Sequence, residues 1–520
     1  MLRKREEKEG VIKSAGMVSL GTLFSRITGL IRLQIIAYIF GYSPATDAFW
    51  LAFTLPNLFR ALLAEGALST AFIPIFSEWY SKKGEEEAWK LANNILNLLV
   101  LMVMSVIVMG VILAPFYMPY LGIGFRKNPS QVGLAIYLSQ LMWPFLLFIS
   151  VAALIMAILN CRGHFASPAF APVFFNICFI IFALLLSNKI GIYSLACGVV
   201  AGGLIQLLVQ IPALIKKGFK YRLTFSLQDE GVRRVFKLIL PAILGSITLQ
   251  ISVVITRIFA STLPAGGISG LQYAMRIIQF PLGLFPIAIS TAIFPRFSLL
   301  AATNNRDALK ATVNMGIRMV FFLLVPSSIG LILLRKELVG LLFQYGSFSY
   351  RDTLITSEAL FYYCFGLFAM GGVMILTRAF YSLQDMLTPF YVFVICLGSN
   401  VLLNFALIDP LKHKGLALAT SLSIMMNMVF LVVLLRRKMG RLGGYSVFLS
   451  FLKTCFVSAV MGGAIYIGKI FLNPGLAVSL HYRLLFIVGT IFFGVGVFIG
   501  LSYLLRSNEL DLIIRSLRGG

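Results

Sequence analysis

Acidic and titratable side chains are scarce in this sequence. Its 520 residues include 19 Asp and Glu and only 3 His, and charged residues make up 12% of the chain. His164, His413 and His481 have no spaced partners, and there is no HExxH, no Walker lysine loop and no GxSxG. No polar stretch is long enough for a nucleotide-binding domain. General acid–base or metal chemistry needs clustered carboxylates, histidines or cysteines, so little is left for an enzyme. The cysteines (Cys161, Cys178, Cys197, Cys364, Cys396, Cys455) stand singly without a CxxC pair, which excludes a metal centre or disulfide framework as the organising device. The start, MLRKREEKEGVIK, leads into a long Gly-interrupted span rather than a short apolar core with a cleavage site, so no removed signal peptide is read.

What the chain has is apolar length. Hydrophobic residues reach 59% and mean hydropathy is +0.92, more apolar surface than a soluble fold of this size can hide. Apolar runs long enough to cross a bilayer recur throughout, which predicts an all-α integral membrane protein. Fourteen spans are expected, near 14–40, 46–79, 88–120, 131–159, 166–187, 192–215, 235–263, 268–300, 311–334, 355–382, 388–408, 414–436, 447–472 and 482–505.

The net charge of +25 comes from 44 Lys and Arg concentrated in alternate loops. That is the positive-inside pattern, not a nucleic-acid footprint. Lys82, Lys83 and Lys90, Arg162, the run from Lys216 to Lys237, and Arg436, Arg437, Lys438 and Arg441 mark one side. Both termini are therefore expected in the cytoplasm.

LSTAFIPIFS at 68–77 matches ISTAIFPRFS at 289–298, an offset of 221 residues. The same offset pairs Ser167-Pro168 with Thr388-Pro389, Leu195-Ala196 with Leu416-Ala417 and Lys217 with Lys438. A duplicated six-span unit follows, with two parallel repeats. Residues 1–217 are expected as the first lobe (spans one to six), 218–234 as a cytoplasmic linker and 235–440 as the second lobe (spans seven to twelve). Residues 441–520 hold spans thirteen and fourteen, which have no counterpart, and a tail. Two repeats around a polar cavity are transporter architecture.

Charge inside the apolar stretch 19–78 is the main anomaly. Arg26, Arg32, Asp47, Arg60 and Glu65 lie there, and each central charge costs roughly 2.5–3.5 kcal/mol on insertion scales. The functional reading is an arginine site for an anion, with Asp47 and Glu65 orienting the arginines or taking protons. The bland reading is salt bridging between helices. Arg26 and Arg32 are about 120° apart on an unbroken helix, unless Gly29 relaxes it. Asp47 and Thr54 should share a face. Arg276, deep in span eight, is the second lobe's contribution, whereas Arg257 and Arg378 are read as snorkelling near span ends. Arg60 and Glu65 align with Pro281 and Pro286, so the charged site is asymmetric. Thr256, Asn400, Asn404 and Thr420 offer oxygen ligands for a small cation or, more plainly, interhelical hydrogen bonds. Gly198 and Gly202 form a GxxxG pair read as close helix packing.

The segments SRITGLIRLQIIAYIFG, ATDAFWLAFTLPNLFRALLAEGALSTAFIPIFSE and FQYGSF (343–348) resemble the MurJ (MviN) family of the multidrug/oligosaccharidyl-lipid/polysaccharide exporter superfamily. The resemblance extends along the whole chain through the fourteen-span plan. It implies a flippase that moves lipid II, the undecaprenyl-diphosphate-linked peptidoglycan precursor, from the cytoplasmic to the periplasmic leaflet of the bacterial inner membrane. Carried over by position, Arg26, Arg32, Asp47, Arg60 and Arg276 match charged residues of the family's central cavity, and Glu65 matches a family acid. The resemblance also implies that spans thirteen and fourteen form a groove for the lipid tail. Leu33 and Met275 stand where some relatives have acids. The family's sodium site uses carboxylates where this chain has Thr256 and Asn404, so Na+ or another coupling ion is at most weakly held. No other cofactor is implied. Lipid II and membrane lipids are the expected partners, with no nucleic acid, and a monomer is expected. The alternatives are a drug or cation antiporter or another polyprenyl-linked saccharide exporter of the superfamily, and a membrane enzyme on a lipid-linked sugar. An antiporter calls for an aromatic, acid-rich cavity, and an enzyme for a catalytic acid or His cluster.

Overall fold

The computed structural model describes residues 2–63, 68–472 and 480–517, and all regular structure among them is helical. The all-α membrane fold is the one the composition demands. Two compact units divide the chain, residues 1–268 and 269–520. The first holds α1 (Leu2–Phe40), α2 (Pro44–Ala52), α3 (Thr54–Leu62), α4 (Leu68–Lys82), α5 (Glu85–Leu121) and a 3-10 turn (Ile123–Lys127). It continues with α6 (Pro129–Met142), α7 (Phe145–Cys161), α8 (Ala166–Ile190), α9 (Tyr193–Leu208), α10 (Ile211–Lys216) and α11 (Glu230–Ser261). The second holds α12 (Gly267–Leu284), α13 (Pro286–Ala302), α14 (Arg306–Leu333), α15 (Arg335–Phe343), α16 (Tyr350–Cys364) and α17 (Leu367–Ser382). After these come α18 (Leu387–Leu411), α19 (His413–Met439), α20 (Gly444–Leu472), α21 (Leu480–Leu504) and α22 (Asn508–Leu517).

The 221-residue offset is written into the backbone. Helices α8 and α18 have bounds matched residue for residue, and the break between α6 and α7 at Trp143-Pro144 recurs between α16 and α17, where the axis bends by 45°. Even left-handed positions recur. Gly163 and Gly191 have φ of +70° and +56°, and 221 residues on, Gln384 and Lys412 have +57° and +51°. A positive φ is strained for a residue with a Cβ, so the second repeat keeps the turn geometry without the glycines that suit it. Packing units and repeat units differ. Helix α11, the counterpart of α1 by offset, packs on α4, α5 and α3 within the first unit.

Among the described residues, eleven helices are long and apolar enough to cross a membrane, or twelve with α16 and α17 as one bent span. Two of the fourteen expected spans fall outside that number. The stretch 46–79 is divided at Phe53 and contains residues 64–67, which lie outside the description. Of 235–263, only Gln250–Ser261 counts, as a shorter apolar helix.

Helices in lipid gain little from burying apolar surface against each other, so close approach through small residues decides their packing. Gly21 of α1 sits on Ala169 of α8, where a Cβ would come within 2.6 Å of the Ala169 carbonyl. Gly202 and Gly198 of α9 admit the Phe175 and Phe179 rings of α8. That pair is a packing device, as its spacing suggested. Helix starts are fixed by side-chain caps: Ser43 on α2, Asp229 on α11, Asn305 on α14, and the Ser349–Asp352 capping box on α16.

Candidate functional site

The best-defined charge in the first unit is Arg32. Its guanidinium lies over two rings of α8, 5.4 Å from the Phe175 centroid and 5.2 Å from that of Phe179. The rings are held in turn by Gly202 and Gly198 behind them. Asn176, on the same helix, donates to the Ser25 carbonyl at 3.2 Å and to the Thr28 hydroxyl at 3.1 Å, fixing the register of α1 on α8. A small-residue groove on α9 thus seats α8, and α8 seats an arginine of α1. Cation–π contact contributes about 0.5–2 kcal/mol and uses the face of the guanidinium, while its N–H groups point outward from the edge. Arg26 is exposed, and α1 runs unbroken through Gly29, so the two arginines point apart as an ideal helix requires.

Asp47 is buried in the first turn of α2, and its Oδ2 accepts the Gly266 N–H at 2.6 Å. Gly266 has φ +92° and lies under the Tyr42 ring, so only glycine fits. Thr54 looks the same way and accepts from Arg257 Nη1 at 2.7 Å; that nitrogen also reaches the Trp50 carbonyl at 2.8 Å. The shared face of Asp47 and Thr54 is thus turned to α11 and the turn after it. Arg257 corrects the snorkelling expectation: it is buried at 8% exposure and bonded at the α2–α3 break. Its signal was the same as that of the other arginines, a lone charge in an apolar run. Arg60 is half-buried, with Nε on Asn57 Oδ1 at 2.9 Å. Glu65 lies outside the described residues.

In the second unit, Arg276 is half-buried and donates to Gln279 Oε1 at 3.1 Å. Arg378 is half-buried too, over Phe294 at 5.6 Å and bonded to the Ser290 carbonyl at 3.1 Å. Asn400 and Asn404 are buried on one face of α18, the Asn404 amide donating to Asn400 Oδ1 at 3.0 Å. Asn404 Oδ1 has no hydrogen-bond partner among the described residues. Thr420 donates to the Leu416 carbonyl, and Thr256 of the first unit to that of Ser252. These oxygens are all neutral. No cluster of His, Cys, Asp or Glu that could hold a metal occurs among the described residues.

An open apolar cavity of about 460 Å³ lies between the last helices of the second unit and its α12, α14 and α15. Its walls include Phe280 and Leu284 of α12, Phe322 of α14, Met461 of α20, Phe498 of α21 and Leu510 of α22. Ion pairs fasten both ends of this region. Lys469 of α20 reaches Glu337 Oε1 of α15 at 2.7 Å and the Leu333 carbonyl at 3.0 Å. Glu509 of α22 takes Arg318 Nε at 2.6 Å and the Ser450 hydroxyl at 2.7 Å on one oxygen, and the Ser507 hydroxyl at 2.7 Å on the other. Burial works against its ionisation, but the hydroxyls of Ser450 and Ser507 and the Arg318 guanidinium hold the carboxyl below its ordinary range.

Comparison with known proteins bears on what this arrangement serves. The family described as "Lipid II flippase MurJ" matches residues 36–487. A probable lipid II flippase MurJ of Buchnera aphidicola subsp. Schizaphis graminum is 36% identical over 423 residues, 81% of this chain and 82% of its own. One from Vibrio cholerae is 34% identical over 517 residues, 96% of this chain and 97% of its own. Among solved structures, a lipid II flippase MurJ in an inward closed conformation is similar with a TM-score of 0.78 and 28% identity, covering 95% of this chain and 99% of that one. An inward-facing multidrug resistance MATE transporter of the MOP superfamily is similar in fold, with a TM-score of 0.67 at 16% identity over 80% of this chain and 95% of its own.

Proposed function

This chain belongs to the lipid II flippase MurJ family, and from that premise we propose how its residues carry the substrate. It is a multi-pass bacterial inner-membrane protein that flips lipid II; it is a transporter, not an enzyme. The diphosphate-sugar head is bound by Arg32 with Arg26 and Arg60 of the first unit and Arg276 of the second. Asp47 and Glu65 tune that set. The observation that carries this reading is the seat of Arg32 on Phe175 and Phe179. A guanidinium stacked on rings keeps its orientation, and its edge suits the paired, charge-assisted bonds a diphosphate accepts.

The isoprenoid tail lies in the apolar cavity walled by α20 and α21. The two repeats alternate access, moving the head from the cytoplasmic to the periplasmic leaflet. Both termini face the cytoplasm, an orientation supported by the basic clusters on one set of loops. The chain works as a monomer. Asn400, Asn404, Thr420 and Thr256 are the oxygen ligands offered to a coupling cation. The unpartnered Asn404 oxygen suits a hard ion, and an all-neutral set holds a monovalent one weakly.

The test is binding of lipid II to the purified protein, with undecaprenyl phosphate and a drug-like cation as competitors. Undecaprenyl phosphate should compete weakly and the cation not at all, and Arg32→Ala or Arg276→Ala should weaken lipid II. Displacement by the cation, or unchanged affinity in both variants, would overturn the head-group assignment.

A further inference from the structure

The segment between α10 and α11 is held by an asparagine ladder that its own sequence does not announce. Three buried amides of α5 read its main chain. Asn93 takes the Arg222 N–H at 2.9 Å and donates to the Lys220 carbonyl at 3.0 Å. Asn97 donates to the carbonyls of Arg222 and Thr224, both at 3.0 Å, and accepts from the Tyr221 hydroxyl at 2.9 Å. Asn94 pairs with both the N–H and the carbonyl of Ser226 at 2.8 Å. The amides do what a neighbouring strand would do, and they bind even-numbered residues. Alternation then places Leu223, Phe225 and Leu227 together on one face of the segment.

These three side chains are apolar and lie in the open: Leu223 is 70% exposed, Phe225 56% and Leu227 66%. Their depth is set by their neighbours. The exposed apolar face of α5 begins at Leu101, one helical turn and about 6 Å beyond Asn97. Leu208 of α9 and Ile215 of α10 are exposed apolar residues too, the second within three residues of Gly218. The strap therefore continues the lipid-facing belt into the layer where acyl chains give way to head groups.

Charge points the same way. Every acid of this face is already engaged. Glu78 and Glu230 hold Arg234, Glu85 holds Arg162, Glu86 and Glu87 hold Lys90, and Asp229 caps α11. Lys216, Lys217, Lys220, Arg233 and Lys237 make no ion pair among the described residues, so the face keeps a surplus of positive charge. Cations beside an exposed apolar row at the membrane surface match an anionic leaflet.

We propose that residues 219–227 form a membrane-docking strap, with Leu223, Phe225 and Leu227 seated in the head-group layer and the lysines around it bound to anionic phospholipid heads. The experiment uses the full chain in nanodiscs of phosphatidylcholine, with or without phosphatidylglycerol. Phosphatidylglycerol should raise the thermal midpoint, and the combined Lys216→Gln, Lys217→Gln and Lys220→Gln variant should lose at least half of that rise. A photo-crosslinking amino acid at position 225 should yield lipid adducts in native membranes. An undiminished rise in the lysine variant, together with adducts to polypeptide rather than lipid, would overturn the proposal in favour of a protein partner. Leu223→Ser with Leu227→Ser separates folding from docking, because it leaves the asparagine ladder intact. Loss of lipid adducts with an unchanged midpoint in phosphatidylcholine supports docking, and undiminished adducts count against it.

Discussion

The hairpins α8–α9 and α18–α19 occupy matched stretches of the two repeats and hold opposite chemistry. In the first, Phe175 and Phe179 present ring faces to Arg32, with Gly198 and Gly202 behind them. At the offset of 221 residues these positions become Cys396, Asn400, Ala419 and Ser423, and Arg32 becomes Val253. The second hairpin replaces a cation platform with a hydrogen-bonded one: Ser423 donates to the Cys396 carbonyl at 3.0 Å, and Asn404 to Asn400. Duplication preserved the length of α8 in α18 and the positive φ of the turns on either side of it, and released the side chains that these helices present. With Arg32 proposed as the head-group contact, fold and function rest on different residues of the same helices.

The largest expected effect breaks that asymmetry at its charge. Arg32→Ala should cost about 3 kcal/mol of substrate binding, roughly 100-fold, and fail to complement a flippase-depleted cell. Its positional counterpart Val253→Ala, with no charge to lose, should stay within about 0.5 kcal/mol of wild type. Equal losses in both, measured as lipid II flipping by protein that inserts normally, would mean that the repeats share the site. Next comes the region without any counterpart. Glu509→Ala leaves Arg318 facing a buried gap and should destabilise the second unit by about 3 kcal/mol. The sign of its pH dependence follows from a carboxyl held below its ordinary range. The stabilisation is complete above the ordinary glutamate value near 4.3 and is lost as pH falls through the lower folded value. A thermal midpoint in Glu509→Gln that follows the wild-type acid profile would remove Glu509 from that account.

Much of this could be read from residues alone, and the gaps have physical causes. The apolar runs gave the spans, and LSTAFIPIFS against ISTAIFPRFS gave an offset that the helix bounds then repeat. The 120° between Arg26 and Arg32 held because nothing interrupts α1 at Gly29. Arg257 was misjudged because a sequence cannot tell an arginine that climbs to the surface from one that turns onto a broken helix at Trp50. The ladder of Asn93, Asn94 and Asn97 had a signal, three amides in five residues at the start of an apolar helix. Its partner is a main chain 125 to 132 residues away, which no local pattern encodes. Division of the chain at 268/269 was equally hidden, since α11 repeats α1 in sequence but packs on α4 and α5.

The smallest effects test whether the two hairpins are held by different forces. Gly202→Ala puts a Cβ 2.8 Å from the Phe175 ring, closer than packing allows, so the ring must shift or α9 must retreat. Overpacking of this kind costs about 1–3 kcal/mol. A shifted ring also unseats Arg32, so transport should fall further than stability. At the matched position Ser423→Ala removes one donor to the Cys396 carbonyl, a loss of about 1 kcal/mol with no cation to misplace. Paired measurements of thermal midpoint and lipid II flipping separate the two cases. A fall in flipping that outpaces the fall in stability for Gly202→Ala, beside parallel small losses for Ser423→Ala, ties the glycine groove to the arginine through the rings. Parallel losses in both would reduce the groove to packing and leave Arg32 oriented by α1 alone.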